Sequence, residues 1–332
     1  MIGLRHLMRI AVFGNYGVQN LGDDLMLMGL QRKYAQDQLI VFCGNPAQAA
    51  LQFGLSAFPF FPGGLRSFCK WPVSASYRRE LREATRALQS MDLILIGGGG
   101  ILVDRHLKAV LLWWMQLRKI SQAKIPYEFI GNSFELRRWW SRWLFQPFLK
   151  KARAISVRNS SSQQFLASLG ITSLLADDLS ALVPLEGHRT PRKLIALALC
   201  QWGIGESQLQ SLRQFIRSKQ EQGYEIIGLA FQLSGDDDRE FFSKLDPGLT
   251  VKTSLAEILE TFSSCEAVVA MRYHAALLAI RFQIPLVALS YQHKVRELME
   301  DKGLGPFCIP IKSLEASVLD SLFQKAVEAR EK

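Results

Sequence analysis

The chain is poor in the residues that staple small extracellular folds. Its five cysteines, Cys43, Cys69, Cys200, Cys265 and Cys308, lie scattered with no Cys-x-x-Cys pair. That spacing argues against both a zinc ribbon and a disulfide framework, and a reducing cytoplasm is the expected home. No apolar run reaches the roughly 18 to 20 residues that span a bilayer. The opening Met1-Ile2-Gly3-Leu4-Arg5-His6-Leu7-Met8-Arg9 leads into a strand rather than a signal-peptide core, and Met8 reads as the older start. Acidic residues are also short, 30 against 40 Lys and Arg, for a net charge of +10. Such a surface attracts anions, whether nucleic acid, anionic lipid or a phosphorylated substrate, and charge alone does not choose among them.

What is present is ordinary for a folded protein: 48% hydrophobic and 21% charged residues over 332 positions. That length exceeds one ordinary core and fits two domains, expected at 8–184 and 193–332. The Pro- and Gly-containing stretch 184–193 is the linker candidate.

Apolar runs at 9–14, 39–44, 93–96, 127–131, 154–157, 194–199, 224–230 and 284–291 predict strands, with helical patterns between them. Stretch 53–72, rich in Gly, Pro and Phe, reads as a long loop or flap, and 77–91 as a basic amphipathic helix. Two series of alternating strands and helices, each with polar residues at strand ends, imply an α/β fold of two Rossmann-like domains facing across a cleft.

Four places carry chemistry. The strand–loop–helix at 9–30 includes Asn15-Tyr16-Gly17 and Asn20-Leu21-Gly22-Asp23-Asp24, and its glycines do not follow the dinucleotide fingerprint. It presents backbone N–H groups to an anion, and Asn20 and Asp23 suit hydroxyl groups, unless one of them merely caps the helix. Gly97-Gly98-Gly99-Gly100, leading to Asp104, ends a buried strand. Glycine loses the most entropy on ordering, so close approach of a ligand is a better reason for the run than a flexible turn. Arg158 ends the strand 154–157, and Asp177 and Asp178 follow another strand. Finally, Met271-Arg272-Tyr273-His274 sits at a strand–helix corner, where open α/β sheets place ligands. His274 is either a catalytic acid or a core imidazole, and Arg272 beside it favours the first.

Two further stretches admit two readings. Arg137-Arg138-Trp139-Trp140-Ser141-Arg142-Trp143, running on to Lys150 and Lys151, interleaves cations with tryptophans. It is either a face for an anionic membrane or a core helix with snorkelling arginines. Asp236-Asp237-Asp238 invites a metal, but adjacent carboxylates rarely converge, and a solvated helix start is the expectation.

Together these motifs resemble the polysaccharide pyruvyl transferases. The resemblance rests on Gly14-Asn15-Tyr16-Gly17, Asn20 to Asp24, Gly97 to Asp104, Ser156-Val157-Arg158, Met271 to His274, and Ser290-Tyr291 with Lys294-Val295, in the family's order. It implies a GT-B-like fold and transfer of pyruvate from phosphoenolpyruvate to a sugar as a ketal, with release of phosphate and no cofactor or metal. Residue by residue, it implies that Arg158 and Arg272, with Lys294 assisting, hold the donor's carboxylate and phosphate. His274 would protonate the enol methylene carbon or a bridging oxygen. The loop residues Asn20, Gly22 and Asp23, with Gly98, Gly99, Gly100 and Asp104, would line the substrate side.

The expected partners are phosphoenolpyruvate and a saccharide of a cell-surface polysaccharide or its lipid-linked precursor. The protein would then be cytoplasmic, peripheral on the inner membrane face, with no nucleic acid partner. Tyr273 stands where the family usually has leucine, Asn159 where it has aspartate, and Gly131-Asn132-Ser133-Phe134 where a Gly-Pro pair is common. A GT-B glycosyltransferase using a nucleotide sugar is the alternative that shares this fold.

Overall fold

The computed structural model describes residues 7–63, 74–183 and 190–331. The chain divides into two compact units: residues up to Val18 with Asp23–Val183, and Gln19–Gly22 with the residues from Pro184 onward.

The first unit alternates strand and helix: β1 (Arg9–Phe13), α1 (Leu21–Lys33), β2 (Gln38–Cys43), α2 (Pro46–Phe53), β3 (Ser56–Pro59), α3 (Ala75–Gln89), β4 (Leu93–Val103), α4 (Leu107–Ala123), β5 (Tyr127–Glu135), α5 (Trp139–Lys151), β6 (Ala154–Val157), α6 (Ser160–Ser168) and β7 (Leu174–Leu175). The strands lie in the order β3-β2-β1-β4-β5-β6-β7 and pair in parallel. Helices cover both faces, which is why the central strands are apolar on both sides. Phe13, Phe42 and Ile96 face one core with Leu81 of α3, Trp113 and Leu117 of α4 and Phe145 of α5. Val12, Val41 and Leu95, one residue out of phase, face the other with Met26, Leu27 and Leu30 of α1.

Two sequence expectations change here. The flap expected at 53–72 contains an edge strand, β3, and 64–73 lies outside the described residues. β4 does not end at its glycines but runs through them to Val103, with a register shift between Gly99 and Leu102.

The second unit continues with β8 (Arg192–Ala198), α7 (Glu206–Glu221), β9 (Glu225–Leu229), α8 (Asp238–Leu245), β10 (Thr250–Lys252), α9 (Leu255–Ser264), β11 (Cys265–Ala270), α10 (Tyr273–Arg281), β12 (Leu286–Ser290), α11 (His293–Asp301), β13 (Cys308–Pro310) and α12 (Ala316–Glu331). Its sheet is also parallel, in the order β10-β9-β8-β11-β12-β13. Leu197, Phe215, Phe242, Val269, Leu289 and Phe323 belong to its core. Of the expected linker, 184–189 lies outside the described residues, whereas Arg192 and Lys193 already belong to β8.

Strand order reverses once in each sheet, between β1 and β4 and between β8 and β11. The carboxyl ends of those strand pairs are where open α/β sheets form ligand crevices.

Candidate active site

In the second unit, Arg272 stands at that reversal. Met271 and Arg272 N–H groups both donate to the Ala198 carbonyl at the end of β8, at 2.9 and 3.3 Å. This fixes the corner as β11 turns into α10. The Arg272 guanidinium grips Asp238 through two donors on one edge: Nε donates to Oδ2 at 3.0 Å, and Nη2 donates to Oδ1. Asp238 is buried and also accepts from the Phe231 and Gln232 N–H groups, each at 3.0 Å. Burial lifts the Asp238 carboxyl above its ordinary value despite the hydrogen bonds from Arg272. Burial alone would lower Arg272, but the bonds to Asp238 outweigh it and hold the guanidinium cationic. The Nη1 edge is the one this ion pair does not use.

The expected solvated helix start at 236–238 is therefore corrected in part. Asp237 caps α8 by accepting from the Arg239 N–H at 2.9 Å, but Asp238, the next residue, is 1% exposed and holds Arg272. Among the described residues no group of three or more His, Cys, Asp or Glu is placed to hold a metal ion.

The loop Gln19–Gly22 belongs to this unit. Leu21 N–H donates to the Phe231 carbonyl at 2.9 Å and Leu233 N–H to the Gln19 carbonyl at 3.0 Å. Asn20 Nδ2 donates to Gln232 Oε1 at 2.9 Å, while its Oδ1 accepts from the Gly22 N–H at 3.0 Å. So Asn20 does cap the local turn, and its amide is also tied to the segment that Asp238 holds. Gly22 is glycine for a reason of space: a β-carbon there would overlap the imidazole of His274. His274 is the second residue of α10, half-buried, with Tyr273 edge-on to its ring at 5.2 Å between centroids. The unusual Tyr273 is itself buried and so acts as a wall for the imidazole.

Lys294 is the second residue of α11, half-buried, and α10 and α11 pack on each other. Both helices follow parallel strands, so both present their N-termini at the carboxyl edge of the sheet, where the helix dipole favours anions. Two residues complete the corner that sequence reasoning did not assign a role. The Cys200 thiol is pushed up by burial, against the pull of Arg272. The Tyr291 phenol, hydrogen-bonded to Cys200, is pushed up to about 12, chiefly by burial. Both stay neutral at physiological pH. Tyr291 had a signal, its place in the Ser290-Tyr291 motif; Cys200 had none.

The first unit places its share differently. Arg158 is largely buried: Nη1 donates to Asp178 Oδ2 at 2.6 Å and Nε to Ser133 Oγ at 3.0 Å. Asp178 in turn accepts from Ser180 N–H and Oγ at 2.9 and 2.7 Å. Asp104 corrects its expectation of lining a substrate. It is 3% exposed, and its Oδ2 accepts from the Arg138 N–H and Ser141 Oγ, both at 2.6 Å, so it secures the start of α5.

The glycine run divides by role. Gly97 is required by its own neighbours, since a β-carbon would stand 2.6 Å from the Ile130 carbonyl oxygen, and its own carbonyl accepts from Tyr16 Oη at 2.6 Å. Gly98 and Gly99 have φ of 83° and 85°, a conformation that L side chains rarely adopt. Gly100 is exposed, and Asp23 lies beside Gly99, its Oδ1 3.4 Å from where a β-carbon would be.

A family profile described as polysaccharide pyruvyl transferase matches residues 20–293. The chain belongs to this family. The match takes in Asn20, Arg158, Arg272 and His274 and ends at His293. Among curated proteins, the chain is 23% identical over 274 residues to the amylovoran biosynthesis protein AmsJ of Erwinia amylovora. The alignment covers 70% of this chain and 65% of the relative's length.

Solved structures share the fold at low identity. A UDP-GlcNAc 2-epimerase from Methanocaldococcus jannaschii gives a TM-score of 0.59 at 13% identity, covering 97% of this chain and 92% of that one. A putative UDP-N-acetylglucosamine 2-epimerase from Listeria monocytogenes gives 0.64 at 11%, covering 98% and 89%. The glycosyltransferase SnogD from Streptomyces nogalater gives 0.54 at 13%, covering 98% and 94%. The chain thus has a two-domain α/β fold of the GT-B type.

Proposed function

We propose that this chain transfers the pyruvyl group of phosphoenolpyruvate to a saccharide of a cell-surface polysaccharide or its lipid-linked precursor, with His274 as the general acid. The observation that carries the reading is the corner at the end of β11. There an arginine fixed by a buried carboxylate and an imidazole fixed by Gly22 and Tyr273 stand two residues apart. The free Nη1 edge of Arg272, the ammonium of Lys294 and the N-termini of α10 and α11 suit a substrate bearing both a carboxylate and a phosphate. Arg158, paired with Asp178, adds a guanidinium at the end of β6 in the first unit.

His274 donates a proton to the methylene carbon, and the cationic centre at carbon two takes a sugar hydroxyl. Inorganic phosphate then leaves, and a second hydroxyl closes the ketal. Of the two protons the hydroxyls release, one returns to the imidazole and the other leaves with phosphate. The protein's part is to hold the anion and aim the proton, and general acid catalysis of this kind is worth about 10² to 10⁴ in rate.

The test is to incubate the protein with phosphoenolpyruvate and candidate saccharides, measuring phosphate release and the mass gain of one pyruvyl ketal. His274→Gln is expected to lower turnover by about 10² or more with an unchanged circular dichroism spectrum. A variant that kept most of its turnover would remove His274 from the role. Release of nucleotide from a sugar-nucleotide donor, with none of phosphate from phosphoenolpyruvate, would favour a glycosyltransferase.

A further inference from the structure

We propose that the outer face of α4 and α5 in the first unit is a docking surface for an anionic lipid bilayer. This goes beyond the proposed reaction and does not depend on it.

Both helices already bury one apolar face. Val110, Trp113 and Leu117 of α4 and Phe145 and Leu149 of α5 fill the core on that side of the sheet. Yet each carries a second apolar pair pointing away from it. Leu107 and Leu111 are 61% and 43% exposed, and Trp139 and Trp143 are 79% and 73% exposed. These are the first and fifth residues of their helices. The two helices follow the neighbouring parallel strands β4 and β5 and pack on each other. The four side chains therefore stand level, in the first two turns, at the carboxyl edge of the sheet. The core-helix reading of the tryptophans is thereby set aside for Trp139 and Trp143.

The charge on the two helices has one sign, and Glu135, the acid that precedes α5, is paired with Arg105. α4 contains Lys108, Arg118 and Lys119, α5 contains Arg142, Lys150 and Lys151, and neither contains an acidic residue. Arg137 and Arg138, just before α5, are exposed as well. A second copy of the chain seated symmetrically here would press cations on cations. A nucleic acid would use the tryptophans for stacking but gains nothing from an aliphatic leucine pair. A bilayer uses every component: leucines enter the acyl boundary, indole rings sit at headgroup level, and cations meet anionic headgroups.

The decisive measurement is co-sedimentation of the full chain with vesicles of phosphatidylglycerol and phosphatidylethanolamine, against vesicles of phosphatidylcholine alone. The protein is expected to sediment with the first and far less with the second, and added salt is expected to release it. Trp139→Ala/Trp143→Ala should lower the bound fraction at least ~tenfold, and Lys108→Glu/Arg137→Glu should do so independently. Circular dichroism of each variant reports its fold, so the vesicle result stands whether or not the chain proves to use phosphoenolpyruvate. Turnover on a soluble saccharide should be unaltered by either pair of changes. A wild-type chain that stays in the supernatant, that binds both vesicle types equally, or whose binding ignores both double variants would overturn the proposal.

Discussion

At the scale of single residues, the chain holds charge in places where it is costly, and Asp24 is the clearest case. It is 1% exposed, its Oδ2 accepts from Gln52 Nε2 at 2.8 Å, and its Oδ1 has no hydrogen-bond partner. Burial pushes its carboxyl up to about 6, with the Gln52 bond pulling the other way. Because the folded state binds this proton more tightly than the unfolded chain, the stability it confers is present at low pH. It is lost as pH rises from about 4 through about 6. Asp24→Asn is therefore expected to be more stable than the wild type above pH 6, by up to about 3 kcal/mol, with no difference below pH 4. Urea denaturation at pH 4 and pH 7.5 checks the sign.

Single residues were also the hardest to read in the sequence. His274 and Arg272 stood out because a histidine and a cation two apart at a strand end have few structural uses. Asp238 did not, because nothing in Asp236-Asp237-Asp238 says which carboxylate turns inward. That choice is made by Arg272, 34 residues away, and by the Phe231 and Gln232 N–H groups.

At the scale of elements, the Arg158–Asp178 pair joins the end of β6 to the turn at 179–182 that follows Asp178. The two side chains are 6% and 1% exposed, so removing one partner strands a charge in the interior. Arg158→Met is expected to cost about 3 to 5 kcal/mol in unfolding free energy, and Arg158→Met/Asp178→Leu to recover much of it. If Arg158→Met unfolded at the wild-type denaturant midpoint, the pair would carry no such load.

Element type was largely legible, since long apolar runs and helical periodicity place most strands and helices within a few residues. What escaped was governed by neighbours rather than by pattern. β3 is four residues of Ser56–Pro59, recruited by pairing with β2, and β13 is three residues recruited by β12. β4 continues through its glycines because Ile130 and Asn132 of β5 pair with Gly97 and Gly99.

At the scale of the whole molecule, the two sheets share one strand order apart from the extra edge strand β7 of the first, and they differ in what occupies the reversal point. In the first, the buried Tyr16, just past the end of β1, sets its hydroxyl on the carbonyl of Gly97 within β4. In the second, Arg272 and Asp238 stand there. The repeated βα pattern announced both sheets, but no local signal told which reversal point would carry ionic groups.

The grouping of Gln19–Gly22 with the second sheet was not legible either, because its partners lie more than 200 positions away: Asn20 reaches Gln232 across 212 positions. A fragment beginning at Thr190 should fold with faster amide exchange at Leu233 than the full chain, since the Gln19 carbonyl that protects it is missing. Equal exchange in both would mean that the loop adds nothing there. The same pairing bears on synthesis. The ribosome releases Asn20 212 positions ahead of Gln232, so the loop that braces His274 waits, unanchored, while the intervening chain is made. The corner at His274 is then completed only when the second sheet closes on a segment made long before it.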